Sequence, residues 1–203
     1  MLIFKIIILG LFAYTLGSIP WGLILTKTFT KIDIRKIGSG NIGATNVRRI
    51  AGNTLGILTL FLDMLKGIIP VYLTTFIFTN SDLCSLYQCI FALLSFLGHL
   101  YPVFLLFKDG GKGVATAAGC ILIISPKIFF IVIIIFILSV IIFNKISAGS
   151  ILAAGFLPFL SFIEHNIYFT IFTFIISFLT IFRHKGNIKR LLDGNEPNLI
   201  NKK

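Results

Sequence analysis

Two polar islands in an otherwise apolar chain hold the residues whose types and spacing can do chemistry. The first reads Gly38-Ser39-Gly40-Asn41-Ile42-Gly43-Ala44-Thr45-Asn46, continues to Arg49 and is preceded by Asp33-Ile34-Arg35. The second reads Gly110-Gly111-Lys112-Gly113-Val114-Ala115-Thr116 and follows Lys108-Asp109. Glycines expose backbone N–H groups and permit conformations that side chains forbid. Ser39, Asn41, Thr45 and Asn46 can hydrogen-bond phosphate or hydroxyl oxygens, and Arg49 can hold a phosphate through paired N–H donors. In the second island a glycine-rich turn opens a helix, so N–H groups and the helix dipole face an anion, and Lys112 adds a point charge. Together these residues make an anion site, most naturally for phosphate. The G-x-x-x-x-G-K-[ST] pattern is absent and no strand precedes the loop, so nucleotide hydrolysis gains no support.

A third island, Arg183-His184-Lys185-Gly186-Asn187-Ile188-Lys189-Arg190, is followed by Gly194, Glu196 and Pro197. Its charge alone reads as a basic anchor beside anionic lipid, which leaves His184 and Asn187 less well explained. Asp63 and Lys66 lie three apart in an apolar run, where they can share a helix face and pair. With no further carboxylates in line, a structural ion pair is expected rather than a proton relay. Ser147 and Ser150 share the same spacing; they can cap a helix, pack small against a neighbour or line a polar site. The chain has no Gly-x-Ser-x-Gly, no Cys/His nucleophile arrangement and no His-x-x-x-x-Asp box. Covalent catalysis therefore has no obvious nucleophile, and positioning and charge stabilisation must supply most of the effect. Cys84, Cys89 and Cys120 show no metal-ligand spacing and read as small buried hydrophobes, with no metal site expected.

The elements that position these islands belong in a membrane. The chain has 203 residues, of which 57% are hydrophobic, more apolar surface than a soluble domain of this length can cover. Apolar runs cover 2–26, 54–79, 83–107, 114–143, 147–163 and 167–182, long enough for helices rather than barrel strands. The fold expected is an all-α polytopic bundle, one integral membrane domain over 1–203, without internal repeats of the kind that mark many transporters. The net charge of +11 is dispersed through the loops, which fits cytoplasmic loops beside anionic lipid and not a nucleic-acid surface.

Lys27, Lys31, Arg35, Lys36, Arg48 and Arg49 against Asp33 alone put the loop 27–53 inside and the N-terminus outside. The first run passes through Gly17-Ser18-Ile19-Pro20 into that basic loop and is not read as a cleavable signal. Six spans would leave the basic tail outside. Ser125-Pro126 interrupts the 114–143 run, because proline lacks a donor and disfavours helix before it. Breaking the run into 114–124 and 127–143 gives about seven helical elements, the fourth short and partly surrounded by protein, and a cytoplasmic C-terminus. A six-span arrangement is the alternative.

These residues resemble the bacterial membrane acyl-phosphate:glycerol-3-phosphate acyltransferase family. The resemblance runs from about residue 10 to 197. It is carried by the three islands, the last with Leu191 and Glu196-Pro197, and by Gly17-Ser18-Ile19-Pro20, Asp63 with Lys66-Gly67, and Gly98-His99 with Pro102. It implies transfer of a fatty acyl group from acyl phosphate to the 1-hydroxyl of sn-glycerol 3-phosphate, giving lysophosphatidic acid and phosphate at the start of phospholipid synthesis. It implies the cytoplasmic (inner) membrane with the active site on the cytoplasmic side, membrane lipid as surroundings, and a functional link to the enzyme that makes acyl phosphate. No cofactor is expected, since phosphate is already a good leaving group.

Carried over by motif, Ser39 and Arg49 are needed for catalysis, with His184 and Asn187 supporting activity. Gly110, Gly111, Lys112, Gly113 and Thr116 bind glycerol 3-phosphate. Asn41, Thr45, Asn46, Ser147 and Ser150 join the substrate site, and Asp63, Lys66 and Glu196 are structural. His184 can act as general base near neutral pH, or a substrate phosphate can take the proton instead. The chain departs from the family at Asp109, which interrupts an expected Lys-Gly-Gly-Lys, and at Ala148 and Gly149, where serines are usual. A transporter for a phosphorylated solute, the competing class, would want ionisable residues along a path through mid-membrane, and only Asp63 and Lys66 lie near one.

Overall fold

The computed structural model describes residues 2–200, and every regular element among them is helical. Among the described residues four helices are long and apolar enough to cross a membrane, and up to six spans result if each of two bent pairs counts as one. The chain divides into two compact units, residues 1–124 and 125–203.

The first unit opens with α1 (Leu2–Gly17) and α2 (Trp21–Thr30), whose axes bend by 42°. The run 2–26, expected as one helix, is thus broken at Gly17-Ser18-Ile19-Pro20. Pro20 has no N–H to continue the ladder, and the Ser18 N–H and hydroxyl both return to the Tyr14 carbonyl, at 2.9 and 2.8 Å. After a short 3-10 turn at Ile34–Lys36 comes α3 (Ala44–Ile77), which packs against α1, α2, α4 (Cys84–Leu100) and α5 (Val114–Ile124). Gly52, at φ 89° and ψ 172°, breaks α3 into 44–51 and 53–77. The short first segment carries Thr45, Asn46 and Arg49; the second crosses the unit.

The crossing of α3 with α5 is as close as backbones allow. A Cβ on Gly67 would stand 2.2 Å from the Thr116 carbonyl oxygen, and one on Gly119 would stand 2.2 Å from that of Met64. Small residues at such contacts are how helices associate where lipid removes the hydrophobic drive. The interruption of the 114–143 run falls where proline chemistry put it. α5 ends at Ile124, and α6 (Pro126–Phe143) begins after Ser125, whose hydroxyl accepts the Ile128 N–H at 3.2 Å. Pro126 sits at the start, where its missing N–H would have had no helical partner. The short α5 buries Thr116, Ala117, Gly119, Cys120 and Ile121.

The second unit holds α6, α7 (Ile146–Ser161), α8 (Ile167–Arg183) and α9 (Lys185–Leu192), with α7 packed against both α6 and α8. Only Ile128 and Ser139 of α6 are buried; a helix apolar all round suits contact with hydrocarbon. The Ser125 hydroxyl, which caps α6, also donates to Glu164 Oε1 at 2.8 Å and so ties the α6 start to the α7–α8 turn. α8 and α9 bend by 57° at His184.

Candidate active site

The first island is shaped by Asn46. This buried side chain accepts the Ser39 N–H at 3.2 Å and donates to the carbonyls of Asn41 (3.0 Å), Ile37 (3.1 Å) and Ile34 (3.4 Å). Asn41 Oδ1 accepts the Gly43 N–H at 2.9 Å and turns the chain into α3; asparagine favours such turns because its side chain reaches its own backbone two residues on. Ser39 and Arg49 lie exposed on this loop and the segment after it, and Thr45 is half-buried. Asp33 takes N–H donors from Arg35 at 2.9 and 2.7 Å. Those bonds hold the Asp33 carboxyl well below the usual carboxylate range, and Asp33 in turn raises the Arg35 guanidinium.

The second island meets the first. Asn41 Nδ2 donates to the Gly110 carbonyl at 3.5 Å, and Arg35 Nη1 stands 3.5 Å from Asp109 Oδ2. The charge of Asp109 is therefore matched by Arg35. Lys112, half-buried, lies two residues before α5, and Gly113 between them takes φ 84° to turn the loop into that helix. The Thr116 hydroxyl donates to the Asp63 carbonyl at 3.0 Å.

Beneath this loop Asp63 and Lys66 pair as expected, Nζ to Oδ1 at 3.0 Å, with side chains 3% and 2% exposed. Sequence reasoning assigned no role to the third member, buried His99, whose Nδ1 lies 3.1 Å from Lys66 Nζ. The signals for it were its place at the end of an apolar run and the match of Gly98-His99 with Pro102 to the family.

The third island is built within the second unit. The buried His184 places Nδ1 2.8 Å from the Thr180 carbonyl oxygen. A carbonyl only accepts, so Nδ1 carries a proton, and when the ring is neutral Nε2 is its lone-pair nitrogen. Glu196, 4% exposed, takes Asn187 Nδ2 on Oε1 at 2.6 Å and Arg190 Nε on Oε2 at 2.7 Å, while Lys145 donates to its backbone carbonyl. Burial pushes this carboxyl up, but Ser147, Asn187 and Arg190 outweigh it and leave it below the usual range. Ser147 Oγ is near enough to act on that titration, yet it forms no hydrogen bond of ordinary geometry. The Ser150 hydroxyl donates to Ile146 in its own helix at 3.1 Å. The Leu199 N–H reaches the Asn144 carbonyl at 2.7 Å and straps the following segment back onto the α6–α7 turn.

These elements define a multi-pass, all-helical membrane protein with polar, cation-bearing loops at its helix ends. The glycerol-3-phosphate acyltransferase family profile matches residues 7–194. A glycerol-3-phosphate acyltransferase of Syntrophotalea carbinolica is 46% identical over 190 residues, covering 93% of this chain and 95% of that one. The crystal structure of PlsY (YgiH), an integral membrane glycerol 3-phosphate acyltransferase in its glycerol 3-phosphate form, superposes with a TM-score of 0.89 at 37% identity, covering 96% and 95% of the two chains. The lysophosphatidic acid form gives 0.85 at 36% identity, with the same shares covered. The chain belongs to the glycerol-3-phosphate acyltransferase family.

Proposed function

We propose that this membrane acyltransferase takes its acyl group from acyl phosphate and places it on the 1-hydroxyl of sn-glycerol 3-phosphate, releasing lysophosphatidic acid and inorganic phosphate. The product feeds phospholipid synthesis. The observation that carries this reading is the meeting of the first two islands at the start of α5, through Asn41 with Gly110 and Arg35 with Asp109. The glycerol 3-phosphate and lysophosphatidic acid forms of PlsY support it.

In this reading the hydroxyl oxygen attacks the acyl carbonyl carbon. A new C–O ester bond forms, the acyl–phosphate C–O bond breaks, and phosphate leaves with the electron pair. Backbone N–H groups of Gly110 and Gly113 and the charge of Lys112 hold the phosphate of glycerol 3-phosphate, while Gly111, whose N–H goes to the His99 carbonyl, shapes the loop between them. Ser39 and Arg49 act on the reacting acyl phosphate, where guanidinium offsets charge on the leaving group. His184 has the tautomer that a proton acceptor needs, and Asn187 steadies the turn that carries it. Asn41 and Thr45 line the substrate site. Asn46 and Thr116, whose hydrogen bonds go into the protein, serve it by holding the loops. Ser147 and Ser150, on α7, are the substrate-binding residues of the second unit. Asp63, Lys66 and Glu196 are structural.

The whole chain acts as one membrane domain of about seven helical elements, one of them short, with the start of α1 outside, α9 inside and the site on the cytoplasmic side of the inner membrane. The enzyme that makes acyl phosphate is its functional neighbour. Purified protein in nanodiscs, given acyl phosphate and labelled glycerol 3-phosphate, is expected to form labelled lysophosphatidic acid and equimolar phosphate. Product formed from acyl-CoA and none from acyl phosphate would overturn the donor assignment.

A further inference from the structure

We propose that His99 is a positioning residue for the glycerol 3-phosphate loop: the buried Asp63–Lys66 pair fixes its ring, and the ring fixes the backbone of 110–113. This rests on the assignment of that loop to the phosphate of glycerol 3-phosphate.

The ring's state follows from its neighbours. An ammonium group has donors and no acceptor, so at 3.1 Å from Lys66 Nζ the His99 Nδ1 must be the acceptor. Nδ1 is then unprotonated, and the neutral ring carries its hydrogen on Nε2. Asp63 Oδ1 stands 3.7 Å from Nδ1 but 3.0 Å from Lys66 Nζ, so the carboxylate acts on the ring through the lysine. The two residues are themselves anchored through their backbones. The Ser95 hydroxyl on α4 donates to the Lys66 carbonyl at 2.6 Å, and the Thr116 hydroxyl on α5 donates to that of Asp63. The pair is thereby tied to both helices that flank the loop.

The far edge of the ring meets the loop. A Cβ on Gly111 would stand 1.9 Å from His99 Nε2 and 2.7 and 2.8 Å from Cε1 and Cδ2, so the Gly111 backbone lies flush against the ring. The Gly111 N–H also donates to the His99 carbonyl at 3.1 Å. One residue therefore holds the residue before Lys112 by its backbone and by its side chain. A buried ion pair is weak evidence for stability, because well-packed apolar residues often do as well. Here the charges instead select one ring orientation and one hydrogen-bonding state, and a continuous series runs from Asp63 through Lys66, His99 and Gly111 to Lys112.

The test uses the full-length enzyme in nanodiscs. His99→Ala removes both edges of the ring. His99→Asn keeps an acceptor near Nδ1 and loses the edge that meets Gly111; His99→Gln keeps a donor near Nε2 and loses the acceptor for Lys66. Each is expected to raise the KM for glycerol 3-phosphate roughly tenfold or more, since small misplacements in a site cost rates and affinities of that order. The kcat and the KM for acyl phosphate should stay near wild type. Gly111→Ala is expected to raise the same KM, and adding His99→Ala to it should raise it little further, because the new methyl enters the space the ring vacates.

Where His99→Ala does not elute as a folded species, His99→Asn and Gly111→Ala carry the comparison. A folded variant with wild-type KM for glycerol 3-phosphate, or one whose kcat alone collapses, overturns the proposal. Calorimetric binding of glycerol 3-phosphate is measured on the same proteins. Wild type that binds but does not turn over acyl phosphate speaks against the donor assignment, and variants that bind as wild type does speak against this one.

Discussion

At the scale of single residues, Lys112 and Glu196 do opposite work. Lys112 meets a phosphate that changes little during the reaction, and loss of an interaction equal in ground and transition states raises KM without touching kcat. Loss of a charge-assisted contact of about 1.5–3 kcal/mol corresponds to roughly 10- to 150-fold. Lys112→Ala should therefore raise the glycerol 3-phosphate KM by that factor and leave kcat close to wild type; steady-state kinetics with a collapsed kcat at normal KM would move Lys112 to the acyl group. Glu196 reports on folding instead. Its carboxyl lies below the usual range in the folded protein, so the stability it contributes is present above the ordinary glutamate pKa and is lost as pH falls through the lowered value. Melting temperature measured from pH 7 down to pH 3 should drop on the acid side in wild type. Glu196→Gln should be less stable at pH 7 and flatter across that range.

At the scale of elements, the contact between α3 and α5 gives a sharp comparison. Gly67→Ala pushes a methyl into the Thr116 backbone, and overpacking of this kind costs about 1–3 kcal/mol. Gly155 in α7 has no atom within 4 Å of such a methyl. Gly155→Ala should gain about 0.5–1 kcal/mol from helix propensity alone. Equal melting temperatures for the two variants would remove the close crossing from the account. The elements also divide by how legible they were. Ser125-Pro126 announced its break because proline acts through its own covalent chemistry, whatever surrounds it. Gly52 did not announce the kink in α3, since it fell in the basic stretch 27–53 read as a loop, and a glycine there is an ordinary loop residue. The 17–20 bend held the right residues, but the run read as continuous by length. His99 matched the family but had no role assigned, for a related reason: its partners come from α3 and from the loop after α4, and no local spacing encodes them. Asn46 read as a ligand by type, while only the fold shows its amide turned into its own loop.

At the scale of the whole molecule, the family and the all-helical membrane class were legible because islands of glycine and charge cannot hide among apolar runs. Orientation is the corresponding prediction. With Cys84, Cys89 and Cys120 replaced, Lys185→Cys should react with a membrane-impermeant maleimide only after cells are opened, and Asp82→Cys should react in intact cells. Reaction at position 185 in intact cells would reverse the orientation.

The flush contact of Gly111 with His99, and the crowding of Gly110 against the Leu100 carbonyl 2.0 Å from its would-be Cβ, bear on heredity. Every missense change of one base in a glycine codon brings in a larger side chain, so a lineage has no small step available at these positions. An inhibitor that fills the space in front of this loop would meet a surface that point mutation can alter only by disrupting the loop itself.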